Sequence, residues 1–149
     1  MKKIEIEVPE GKRAEWVNGV LTLVDEQPKN VMDRIKTFAD AYNTLGKGHL
    51  LVKERDTIRS CSSDLAAYID LRIIVAALNE GCEPTFAEDE LRWYPWFRIN
   101  DGGVAYADAN VDTSDTYSHY GSLLAFKSRE LAEYAGKQFI GIYKAFLMG

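Results

Sequence analysis

Apolar and polar residues alternate at the start of the chain. Ile4, Ile6 and Val8 interleave with Lys3, Glu5 and Glu7, and a second β-prone run spans Val20 to Val24 after Asn18-Gly19. This spacing predicts an N-terminal β-hairpin or short meander, turned by Pro9-Glu10-Gly11 and again at Asn18-Gly19. Between Pro28 and Gly46 the period lengthens. Val31, Met32, Ile35, Phe38, Ala39, Tyr42 and Leu45 recur at helical spacing, which predicts an amphipathic helix with a proline start and a glycine stop. Residues 47–60 carry glycines and charges without a clear period and read as a connecting loop. From Ser62 to Asn79, Leu65, Ile69, Ile73 and Ala76 line one helical face while Leu71, Ile74, Val75 and Leu78 occupy others. A helix apolar on most sides is a central, buried one, and Gly81 caps it.

The second half returns to extended patterns. LRWYPWFRI, residues 91–99, reads as a strand, Gly102-Gly103 as a turn, Val104 to Val111 as extended chain, and Leu123 to Lys127 as a further strand. Ser128 then caps a last helix, with Glu130 in its first turn and Leu131, Tyr134, Ala135, Phe139, Ile142, Tyr143 and Phe146 along one stripe. Gly136 and Gly141 cost this helix about 1 kcal/mol each relative to alanine, a cost that suits a helix another element packs close against. With no repeat, linker or low-complexity tract, the order predicts one α+β domain over residues 1–149. An antiparallel sheet, built from the N-terminal hairpin and the C-terminal strands, packs against about three helices.

Composition narrows the class. A chain of 149 residues with 46% apolar and 28% charged residues and a net charge of −5 has the profile of a globular domain that needs neither disulfides nor metals for stability. Its longest apolar run, Ile73 to Leu78, is too short to span a bilayer, and the alternating N-terminus lacks the pattern of a signal peptide. A cytoplasmic protein with no membrane partner is expected. Cys61 and Cys82 flank the central helix and lie on the order of 30 Å apart, beyond the reach of a disulfide. The acidic balance argues against general binding of duplex DNA, which depends on many lysines and arginines.

The segments KIEIEVPEGKRAEW, NVMDRIKTFADAYNTLG, AALNEG, WYPWFRI and FKSRELAEYAGKQFIGIYKAF together resemble a family of small proteins encoded by phages and prophage-like or mobile elements of Bacteroidetes. The likeness is spread over most of the chain and is weakest in residues 101–121. It implies the order of elements and an accessory role, such as binding a host protein, a nucleotide or nucleic acid. It supplies no catalytic residues.

Among candidate sites the aromatic strand comes first. In an extended chain Leu91, Trp93, Pro95, Phe97 and Ile99 face one side, the core, and Arg92, Tyr94, Trp96 and Arg98 the other. Two rings between two guanidinium groups suit a small, planar, anionic ligand that stacks while its phosphate is paired. Pro95 cannot donate to a ladder and so places the strand at an edge or a bulge. A helix covering the even face as well would make Tyr94 and Trp96 core, the commoner arrangement in small domains. A second candidate is the tyrosine-rich stretch 104–121, where Tyr106, Tyr117, His119 and Tyr120 form an expected contact surface for a partner protein. A tolerant hairpin tip is the plainer account of it.

Other motifs fall short. Asp108, Asn110, Asp112 and Ser114 alternate like the first half of a calcium loop, but Thr113 stands where glycine and His119 where glutamate belong. Gly46-Lys47-Gly48-His49 lacks the phosphate-loop spacing, and the two histidines and two cysteines lack metal-ligand spacing. Cys61 with His49 or His119, or a carboxylate pair among Glu88, Asp89, Glu90, Asp101 and Asp108, would support a small hydrolase only if the fold joined them in a pocket. The expected function is that of a non-enzymatic accessory protein, without metal or cofactor, that binds a partner protein or small ligand. Nucleotide or single-stranded nucleic-acid binding through the Arg/aromatic strand is the alternative and a small hydrolase the third reading. Self-association through the same surface is compatible with the first.

Overall fold

A computed structural model describes residues 5–58, 60–113 and 123–149, and the chain forms two compact units, Met1–Asn30 and Val31–Gly149. The architecture is α+β, with six helices and two antiparallel two-stranded sheets among the described residues.

The first unit is the expected N-terminal hairpin, with its strands placed further along the chain. β1 (Lys12–Val17) pairs with β2 (Val20–Asp25), while residues 5–8 lie outside any strand. The turn decides this. Asn18 and Gly19 have φ of 51° and 80°, the two positive values a tight hairpin turn needs and that Asn-Gly adopts at little cost. Pro9-Glu10-Gly11 forms a lead-in turn, its Pro9 carbonyl accepting from the Lys12 N–H, and a Lys12–Asp25 ion pair closes the open end of the hairpin.

In the second unit the predicted first helix divides into α1 (Val31–Arg34) and α2 (Phe38–Leu45). Thr37 caps α2 by accepting from the Asp40 N–H while the Asp40 carboxylate accepts from the Thr37 N–H, a reciprocal capping box that stops the preceding helix. The carbonyls released at the break are met from elsewhere: Tyr134 donates to the Ile35 carbonyl at 2.8 Å and Gln138 to that of Lys36 at 2.7 Å. The expected loop at 47–60 contains a helix instead, α3 (Leu50–Thr57), which buries Val52 and pairs Arg55 with Asp70.

α4 (Ser63–Leu78) is the central helix the sequence predicts. Leu71, Ile73, Ile74 and Leu78 on it are fully buried, and α2, α3 and α6 pack around it. β3 (Leu91–Asn100) and β4 (Gly103–Thr113) form the second sheet, with a register shift between Trp96 and Phe97. The expected strand at 123–127 contracts to one bridge, in which Trp93 and Phe126 exchange backbone hydrogen bonds of 2.9 and 2.8 Å. Asn79, just past α4, holds that segment in place: its amide donates to the Ala125 carbonyl at 2.9 Å and its oxygen accepts from the Lys127 N–H at 3.0 Å.

The last predicted helix also breaks, into α5 (Arg129–Gln138) and α6 (Ile140–Met148), at Phe139. Of its two glycines only Gly136 serves close approach. A Cβ there would stand 2.7 Å from the Pro95 Cβ and from the Tyr106 ring, whereas at Gly141 it would meet nothing within 4 Å. Gly136 thus lets α5 lie directly on the β3–β4 sheet.

Candidate functional site

β3 is paired with β4 along one edge and, among the described residues, with Phe126 at Trp93 along the other. N–H groups alternate sides along a strand, so the nitrogen of Pro95 faces the side of Trp93's, away from β4. Proline there ends the second pairing without breaking the first. Beyond that point the strand is bulged and α6 faces it across a cleft of about 520 Å3. β3 contributes Tyr94 to Phe97 and Ile99, β4 Asn110 to Asp112, the 123–127 segment Leu124, and α6 Tyr143, Phe146 and Leu147.

The four strand residues singled out by sequence separate here. Tyr94 and Trp96 line the cleft, and Arg92 and Arg98 do not. Arg92 is 1% exposed, and its guanidinium donates at 2.7 Å to the carboxylate of Glu90, the residue just ahead of β3. This corrects the expectation that Arg92 is presented to a ligand, since a guanidinium buried in that way needs its carboxylate partner. Arg98 is exposed. Trp96 is 44% exposed, so the even face is neither wholly core nor wholly open. Burial raises the Tyr94 phenol above its ordinary value, the Asp112 carboxylate adds to this, and Arg92 opposes it.

The odd face behaves as expected over its middle: Trp93 and Phe97 pack on the core and Pro95 meets Gly136, while Leu91 and Ile99 at the ends are exposed. The Arg129 guanidinium sits 5.7 Å from the centre of the Trp93 ring and is itself bonded to Asp108 and Glu133. The cation nearest that ring is therefore already neutralised.

Tyr106 is half-buried instead of forming an open contact surface. It packs edge-to-face on Phe97 at 6.2 Å, and the Lys137 ammonium lies 5.1 Å from its ring centre. Tyr117, His119 and Tyr120 lie outside the described residues, as does Ser114 of the calcium-like stretch. Asp108, Asn110 and Asp112 of that stretch belong to an extended strand, each accepting from the N–H of the next residue. Among the described residues no group of three or more His, Cys, Asp and Glu side chains is placed to hold a metal ion. His49 caps α3, its Nδ1 accepting from the Leu51 N–H at 3.2 Å, and Cys61 and Cys82 are free and exposed. No described helix is long and apolar enough to cross a membrane.

Half of the cleft escapes a sequence reading. Tyr143 and Phe146 fall on the predicted core stripe of the last helix and give no sign of lining a site. The usable signal is the excess of apolar residues in Ile140–Met148, more than one buried face absorbs, with Leu147 and Met148 left exposed. Tyr143 is packed 4.7 Å from Phe97, ring centre to ring centre, and burial raises its phenol well above the ordinary value. Compared with protein-family models, curated proteins and solved structures, the chain matches none.

Proposed function

We propose that this chain is a non-enzymatic accessory binding protein of a phage or mobile element, acting in the host cytoplasm, and that the cleft between β3 and α6 is its binding site. The observation that carries the reading is the division of the aromatic strand, with Tyr94 and Trp96 in the cleft wall and both arginines outside it. Concave, mainly apolar sites with a few polar groups are the usual form of small-ligand pockets. A nucleotide or single-stranded nucleic acid would need cations beside the rings, and Arg92 is committed to Glu90.

Intrinsic tryptophan fluorescence separates the readings. Trp96 lines the cleft, whereas Trp16 and Trp93 do not. Uncharged aromatic ligands are expected to quench in a saturable, salt-independent way that Trp96→Ala abolishes. Quenching by nucleotides or oligonucleotides that weakens with salt and needs Arg98 would overturn this in favour of an anion-binding strand.

A further inference from the structure

The β1–β2 hairpin has an edge that the chain leaves open. The Glu26 N–H donates to the Gly11 carbonyl at 2.8 Å, and the pairing runs on from Lys12↔Asp25 to Val17↔Val20. Bonded pairs alternate along an antiparallel ladder, so Arg13, Glu15 and Val17 turn their backbone groups to β2 while Lys12, Ala14 and Trp16 turn theirs outward. Of these outward groups the Lys12 N–H is used by the Pro9 carbonyl at 3.1 Å. Those of Ala14 and Trp16 have no partner among the described residues, and every residue of β1 is exposed. Proteins blunt such edges with a proline, a bulge, a covering segment or charges. β1 has an unbroken register and no proline, which leaves its charges to decide what the edge accepts.

Their order is self-complementary. Laid antiparallel on a second copy with Ala14 opposite Ala14, β1 sets Arg13 opposite the partner's Glu15 and Glu15 opposite the partner's Arg13. Opposite charges directly across an antiparallel pair attract, and like charges repel. The same alignment brings outward-facing residues against one another, Ala14 on Ala14 and Lys12 on Trp16, so one register serves both the backbone and the charges. It also lays the lysine stem along the Trp16 ring, which is 71% exposed in the single chain. The other edge offers no such match: β2 centred on Leu23 sets Leu21 against Asp25. A two-stranded hairpin is marginal in water, and pairing through β1 makes four strands of two. Symmetry about Ala14 closes the contact at two copies.

We propose that β1 is a self-association edge, on which two copies of this chain pair their β1 strands antiparallel about Ala14 into a four-stranded sheet of order β2-β1-β1-β2. This surface is separate from the β3–α6 cleft and does not depend on the cleft being a binding site.

Sedimentation equilibrium of the full chain tests this. Two six-residue strands make a contact at the small, transient end of interfaces, so the mass is expected to rise from 16.8 kDa toward twice that between about 1 µM and about 1 mM. Ala14→Pro removes the central outward N–H without touching the ladder to β2 and is expected to abolish the dimer. Arg13→Glu and Glu15→Arg each set like charges opposite one another twice and are expected to weaken it about 10-fold. Each also loses the Arg13–Glu15 ion pair within its own strand, so the deciding sample is an equimolar mixture of the two variants. There every cross-strand pair is again opposite in sign, and association at least as tight as the parent's is expected to return. The buried core contains none of these positions, so melting temperatures are expected to match the parent's, which separates a lost contact from a lost fold. A parent chain that stays monomeric to about 1 mM overturns the proposal. So does a dimer that survives Ala14→Pro, or a mixture that associates no more tightly than its two components.

Discussion

Single residues in this protein divide into those whose role follows from their type and those whose role depends on a distant partner. Gly136 and Gly141 have the same helical propensity and opposite surroundings. Gly136→Ala pushes a methyl into the Pro95 ring and the Tyr106 ring, neither of which can swing aside freely, and is expected to cost about 1–3 kcal/mol. Gly141→Ala meets open space and is expected to stabilise by up to about 1 kcal/mol. Urea unfolding of the two variants checks both, and equal effects would contradict the close approach of α5 to the sheet. Asn79 is a stronger case. It is buried and joins the end of α4 to the backbone of Ala125 and Lys127, so Asn79→Ala strands a carbonyl and an N–H and is expected to cost about 2–4 kcal/mol in the same measurement. The sequence suggests close packing at both glycines without separating them, and Asn79 reads there only as the end of a helix. Arg92 is the converse: its side chain suggests a ligand contact, and only its pairing with Glu90, just ahead of β3, shows where its charge is spent.

At the scale of elements, the long strong patterns are legible and their interruptions are not. The apolar run of α4 and the alternation of β3 declare themselves because burial on most sides and on alternate positions leaves a period that composition cannot hide. The break between α1 and α2 is written in Thr37-Phe38-Ala39-Asp40, a capping box, but the apolar period runs through it and reads as one helix. α3 is obscured because Lys53, Glu54, Arg55 and Asp56 mask its apolar face, and its anchors, Asp70 for Arg55 and Tyr42 for Asp56, lie on other helices. The C-terminal end of α4 is tied down by a charge cluster. Lys127 and then Arg34 hold the Glu80 carboxylate below its ordinary value near 4.5. The unfolded chain therefore takes up that proton first. The stabilisation is complete above the ordinary value and is lost as pH falls through the lowered one. Melting temperatures followed from neutral pH into the acid range are expected to fall less steeply for Glu80→Gln than for the parent chain, and parallel curves would show that the cluster contributes nothing.

For the whole molecule, stability and ligand binding are both expected to reside in residues 31–149. Every member of the buried core lies there, whereas the β1–β2 hairpin leaves Trp16 71% exposed and has no buried residue. A lone two-stranded hairpin is marginal in water. A chain of residues 31–149 is thus expected to melt cooperatively, and a peptide of residues 1–30 to show no cooperative transition by circular dichroism. The α+β class was readable from pattern alone. The cleft was half readable, through Tyr94 and Trp96, because its other wall comes from a helix end whose apolar residues look like ordinary core until β3 and α6 are seen facing each other. Amide chemical-shift mapping with saturating prodan, a neutral aromatic ketone, tests that juxtaposition most directly. Saturable shifts grouped in residues 94–99, 110–112 and 143–147 are the predicted result. Shifts confined to the 12–25 hairpin, or none that saturate, would contradict it.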